Sequence, residues 1–127
     1  MPQAVTYNDP APIEENFVIQ QGITMLEMQF QAIGPDNQPV NLTGFTIEAQ
    51  ARQDATDPNG VMFDLQPDFV DAAQGIWRFP SKAPAVTNAL ISGEYHYDVV
   101  LIDGNGVRYQ PPQIGQITVT PINTHLP

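Results

Sequence analysis

Gly93-Glu94-Tyr95-His96-Tyr97-Asp98-Val99-Val100-Leu101 decides the fold of this chain. Along an extended backbone Tyr95, Tyr97, Val99 and Leu101 fall on one side, while His96 and Asp98 share the other. A period of two is the pattern of a strand with one face in a core. The pattern recurs in three more places. Leu26, Met28, Phe30 and Ala32 alternate with Glu27, Gln29 and Gln31. Phe45, Ile47, Ala49 and Ala51 alternate with Thr46, Glu48, Gln50 and Arg52. Ile117 and Val119 alternate with Thr118 and Thr120.

Between these rows lie turns with recognisable chemistry: Gly34-Pro35-Asp36-Asn37, Asp57-Pro58-Asn59-Gly60 and Asp103-Gly104-Asn105-Gly106. Asn-Gly pairs supply the positive φ angles that tight turns need. The 13 prolines run from Pro2 to Pro127, a spacing that strands tolerate and long helices do not. Strands are expected near 17–21, 23–32, 45–53, 61–66, 76–80, 94–103, 107–110 and 115–121. A helical turn or two is expected within Ala83–Ile91. Seven to eight short strands with regular turns predict an all-β, immunoglobulin-like sandwich.

The 127 residues fit one domain. Its expected divisions are an extended, Pro-rich arm at 1–16, the sandwich at 17–121 and a short tail at 122–127. Prolines and few large side chains mark the arm, which reads as an extended segment rather than a strand, either disordered in the isolated chain or docked on a neighbour in an assembly. Val5 and Ile13 are its candidate partner-binding anchors. Within the sandwich Trp77, Tyr95 and Tyr97 are expected in the core, with a tyrosine hydroxyl tied to nearby backbone.

Composition excludes several functions. Four Lys and Arg against 14 Asp and Glu give a formal charge of −10, and the cations are scattered. Nucleic acid and anionic membrane are therefore not expected partners. Without cysteine there is no disulfide, no thiol catalysis and no cysteine-bound metal. The start, Met1-Pro2-Gln3-Ala4, lacks the basic end and apolar run of a signal peptide, so a soluble protein not secreted by that route is expected. No apolar stretch approaches a membrane span.

No catalytic constellation emerges. His96 lies mid-strand and His125 near the end, a spacing that makes no zinc site. Ser81 or Ser92 with a histidine lacks any nucleophile-elbow context. Asp64, Asp68 and Asp71 read as solvated carboxylates, because a glycosidase needs two facing across a cleft with aromatic platforms. Asp57-x-Asn59-Gly60 and Asp103-x-Asn105-Gly106 resemble parts of a calcium loop but lack its closing Glu, and read as turns. No catalytic, cofactor-binding or metal-binding residue is expected, and no cofactor.

The order of certain pieces is also familiar. Gln21-Gly22-Ile23-Thr24, Asn41-Leu42-Thr43-Gly44-Phe45, Gly75-Ile76-Trp77-Arg78-Phe79 and Ser92-Gly93-Glu94-Tyr95-His96-Tyr97-Asp98-Val99 stand in sequence before Asp103-Gly104-Asn105-Gly106. Over Phe17 to Thr120 this resembles the N-terminal immunoglobulin-like domain of the phage baseplate upper protein family. The resemblance implies a non-enzymatic structural part of a virion, in tail, baseplate or neck. Its expected partners are other virion proteins in a symmetric, multi-copy assembly, and its expected location is the virion. Capsid decoration (a cement protein) is the nearest alternative, and a glycan-binding or adhesion module the next.

Overall fold

The structure is a computed structural model that describes residues 3–6, 13–54, 60–109 and 112–121, with the first four described by backbone alone. Ten strands follow in chain order: β1 (Gln3–Thr6), β2 (Ile13–Glu14), β3 (Phe17–Gln20), β4 (Met28–Ile33), β5 (Thr46–Arg52), β6 (Met62–Asp64), β7 (Asp68–Asp71), β8 (Ile76–Phe79), β9 (Gly93–Ile102) and β10 (Gln113–Thr120). One short helix, α1 (Pro84–Asn88), falls inside the expected stretch, with Pro84 in its first turn. The strands form two sheets packed as a sandwich. The smaller runs β1-β4-β8-β7; the larger runs β2-β10-β9-β5-β6, with β3 also on β10.

The four period-two rows are the inner faces. Tyr95, Tyr97, Val99 and Leu101 are buried on β9, and Ala49 and Ala51 on β5. From the smaller sheet Phe30, Trp77 and Phe79 meet them, with the rings of Phe79 and Tyr97 edge-on at 5.7 Å. Tyr95 donates its hydroxyl to the carbonyl of Ile91, four residues back. The expected core aromatics and the tyrosine-to-backbone tie are both present.

Several boundaries differ from expectation. Leu26 leaves the first row: it is 76% exposed, and Met25 is buried in its place through a bridge to Lys82. Of the expected strand at 107–110, residue 110 lies outside the described residues and 107–109 form a bridge between Arg108 and Ile102, because the Asp103 carboxylate accepts the N–H groups of Asn105 and Val107 and holds a turn. Conversely, Asp68–Asp71 is an edge strand that no apolar row announces, with Phe69 half-buried and Val70 exposed. The arm is corrected most. Gln3–Thr6 pairs parallel with β4, and Ile13–Glu14 pairs parallel with β10. Backbone pairing fixes both segments, and Ile13 also packs against the core. The tail 122–127 and the turn at 55–59 lie outside the described residues.

The three carboxylates near β6 and β7 have structural work. Asp64 accepts the N–H of Gln66, and Asp71 accepts that of Gln74 at the start of a 3-10 turn. Asp68 shares the Arg78 guanidinium with Glu27 at 2.7 and 2.9 Å. Hydrogen bonding from Arg78 holds Asp68 below the ordinary carboxylate range, and bonds from Gln29 and Arg78 do the same for Glu27. A carboxyl lowered in the folded state adds stability above its unfolded pKa and loses it as pH falls. The Arg78→Gln variant should therefore lose less stability than the parent between about pH 5 and pH 3. Denaturant midpoints measured across that range check it.

Candidate functional site

The outward side chains of the larger sheet form its most varied surface. Strand register sets them in rows. Gln116, His96, Arg52 and Met62 cross the sheet in one row, from β10 through β9 and β5 to β6. Glu14, Ile114, Asp98, Gln50 and Asp64 form the next, and Val100 stands beside Glu48 beyond it. A trough of about 490 Å³ runs over these rows, and Arg108 closes one side.

Two of the chain's four cations, Arg52 and Arg108, lie here with His96. Arg108 reaches Glu48 at 3.3 Å across exposed surface, a pair worth little in water. Arg52 donates instead to neutral Gln50 Oε1 at 2.7 Å. Among the described residues no carboxylate pairs with Arg52, and His96 has no hydrogen-bond or ion-pair partner. Cross-strand neighbours stand about 5 Å apart. The guanidinium and imidazole thus present donors side by side to whatever enters the trough, flanked by the amides of Gln50 and Gln116.

Beneath the trough hydrogen bonds tie the sheet to the β2–β3 corner. Tyr97 donates its hydroxyl to the carbonyl of Glu15 at 2.8 Å and accepts from Gln113 Nε2 at 3.0 Å. Burial pushes this phenol up to about 12, so it stays protonated. The neighbouring Asn16 side chain accepts the N–H of Gln116, bridging the corner between β2 and β3.

Of the anchors expected from sequence, Val5 lies in β1 with Ala32 as its register partner. Ile13 is half-buried and packs against the protein's own core, so it is no free anchor. The trough brings neither of them to its centre. Its signal in the sequence was the outward pairing of His96 with Asp98; the opposition of Arg52 to His96 required strand register. Asp103 uses its oxygens on backbone N–H groups and the Tyr109 hydroxyl. No group of three or more His, Asp or Glu suited to a metal occurs among the described residues. No described helix is long and apolar enough to cross a membrane.

Fold and surface together define a class: a two-sheet β-sandwich with a polar trough across the outside of its larger sheet. No family model matches the sequence, and no curated protein does. Among solved structures, the chain is similar to a protein assigned as a glycoside hydrolase from Bacteroides vulgatus, with TM-score 0.42, 13% identity, and coverage of 86% of this chain and 17% of that one. A family 123 glycoside hydrolase from Clostridium perfringens gives TM-score 0.31, 10% identity, and coverage of 86% and 23%. The chain spans less than a quarter of either protein. Likeness this slight says nothing of what this chain does.

Proposed function

We propose that the chain is a non-catalytic structural module of a phage virion, held to neighbouring proteins through the outer face of its larger sheet. The sequence resemblance supplies the setting. The observation that supports the contact face is the Arg52–His96 pair: adjacent donors without a carboxylate partner, on a protein of formal charge −10. A neighbour's carboxylate entering the trough would meet a bidentate guanidinium fork and a ring N–H. Val100, Ile114 and the two glutamines border that point with apolar and neutral surface, which suits close packing, while Asp98, Glu14 and Glu48 also line the trough and restrict an incoming carboxylate to the Arg52 side. Among the described residues that line the trough none is an exposed aromatic ring, since Tyr97 contributes from the core beneath it. A glycan-binding reading therefore lacks its stacking platform there.

Particles purified from a lysate should contain the chain at fixed stoichiometry, and immunogold labelling should place it on tail or capsid. Arg52→Glu should keep the parental thermal midpoint and lower incorporation at least tenfold, the equivalent of about 1.4 kcal/mol. Particles free of the chain would overturn the virion setting. Normal incorporation of the variant would overturn the trough as the contact face.

A further inference from the structure

We propose that the neighbour docked on the trough presents an extended segment with one acidic and one basic side chain two residues apart. This rests on the outer face of the larger sheet being the contact surface, and it names the chemistry of what lies there.

Strand register sorts the charges of the trough into rows. In the first row Gln116, His96 and Arg52 bring hydrogen-bond donors and no acid. In the next, Glu14, Asp98 and Asp64 stand on alternate strands, with Ile114 and Gln50 between them and no cation. Beyond these Glu48 is already answered by Arg108 at 3.3 Å. Two residues the other way along β9, Glu94 lies outside the trough, and its carboxylate accepts the Thr118 hydroxyl at 3.0 Å. A donor row and an acid row thus run side by side. Among the described residues none of Arg52, His96 and Asp98 makes an ion pair.

The spacing of the rows selects an extended partner. His96 and Asp98 are two residues apart on β9, about 6.7 Å along a strand. A segment laid along β9 repeats that distance between its own side chains at i and i+2, which point the same way. One of them meets Arg52 and His96, and the other meets Asp98.

Desolvation requires the second side chain to be a cation. A carboxylate over Arg52 and His96 seats the segment, and the same segment then covers Asp98. A covered carboxylate without a partner costs much of what the first contact returns. A Lys or Arg two residues along removes that cost. Two acids on the segment are repelled by Asp98, and two bases by Arg52. The formal charge of −10 by itself favours an all-basic partner; the two rows favour a mixed one.

Four end-blocked peptides separate these outcomes: Thr-Thr-Glu-Thr-Lys-Thr-Thr, its isomer with Glu and Lys adjacent, and the versions with two Glu or two Lys at the spaced positions. Each is titrated into the isotopically labelled chain at about 0.15 M salt, where diffuse attraction is screened beyond about 8 Å. Backbone amide NMR shifts report both affinity and place. The spaced mixed peptide should bind at least fivefold tighter than the other three, with shifts centred on Arg52, His96 and Asp98. Asp98→Asn and Arg52→Gln should each abolish that preference, and the amide spectrum of each variant reports its fold in the same measurement. The parent's ranking of the four peptides decides the matter even where a variant folds poorly. A two-Glu peptide that binds as tightly as the mixed one would overturn this proposal and leave Arg52 as a carboxylate contact. An adjacent isomer that binds equally well, or a two-Lys peptide that binds tightest, would overturn it as well. Absence of shifts in the trough with every peptide would overturn both this proposal and the contact face it rests on.

Discussion

Truncating Trp77 to alanine should lower stability by about 3–5 kcal/mol, the usual cost of removing a large buried aromatic ring. Trp77 is fully buried on β8, and its ring stacks on Phe30 at 6.1 Å. It fills the space between the sheets where Phe79 and Phe30 also meet. Its indole N–H, however, has no hydrogen-bond partner. Burying an unsatisfied donor costs about 1–3 kcal/mol, so the side chain's packing is partly offset by its own nitrogen. Trp77→Phe removes that donor while keeping most of the packing, and it should fall within about 1.5 kcal/mol of the parent. Unfolding is best followed by circular dichroism, because Trp77 is the chain's one tryptophan. An alanine variant with the parental urea midpoint would show that the ring does not hold the sheets together. A phenylalanine variant as unstable as the alanine one would show that the nitrogen has a partner.

The sandwich was legible wherever side chains alternate strictly. β4, β5 and β9 turn every second residue inward, so composition and period agree there; β10 does so from Ile117 onward, while at its start polar Gln113 is buried and Ile114 exposed. Short edge strands left no such trace. β1, β2 and β7 lie at sheet edges, where one ladder of hydrogen bonds suffices and apolar alternation is not required. Leu26 misled because it continues the period of Met28 and Phe30 beyond the point where β4 begins. The trough was half legible: His96 and Asp98 are two apart on one strand and must share a face. Arg52 lies 44 residues earlier in the sequence, and only the pairing of β5 with β9 sets it beside His96. The unpaired state of Arg52 is likewise a fact of register, since the cross-strand neighbours of its row are His96 and Met62.

The corner under the trough gives the second large effect. Gly115 faces the core opposite Tyr97 on β9, and the backbone of Glu15 lies where a β-carbon would stand. An added methyl would overlap the Glu15 carbonyl and crowd Tyr97 Cε1. The obstacle is backbone, so no side-chain rotation relieves it. Glu15 is pinned from several sides: its N–H donates to the Ile114 carbonyl at 2.9 Å, its carbonyl accepts from Tyr97, and Asn16 beside it is tied to Gln116. Gly115→Ala must therefore lift the β2–β3 corner off β10 and break the Tyr97 bond, leaving a buried phenol short of an acceptor. Overpacking of about 1–3 kcal/mol, with a lost buried hydrogen bond of similar size, predicts a fall of about 3 kcal/mol. Tyr97→Phe removes the same bond without the steric conflict. In the double variant that bond can be lost only once, so the two effects should sum to less than their separate values by about 1 kcal/mol. Denaturant midpoints of the four proteins measure both quantities. A Gly115→Ala variant as stable as the parent would mean that the corner moves freely. Strict additivity with Tyr97→Phe would mean that the hydroxyl does not hold it.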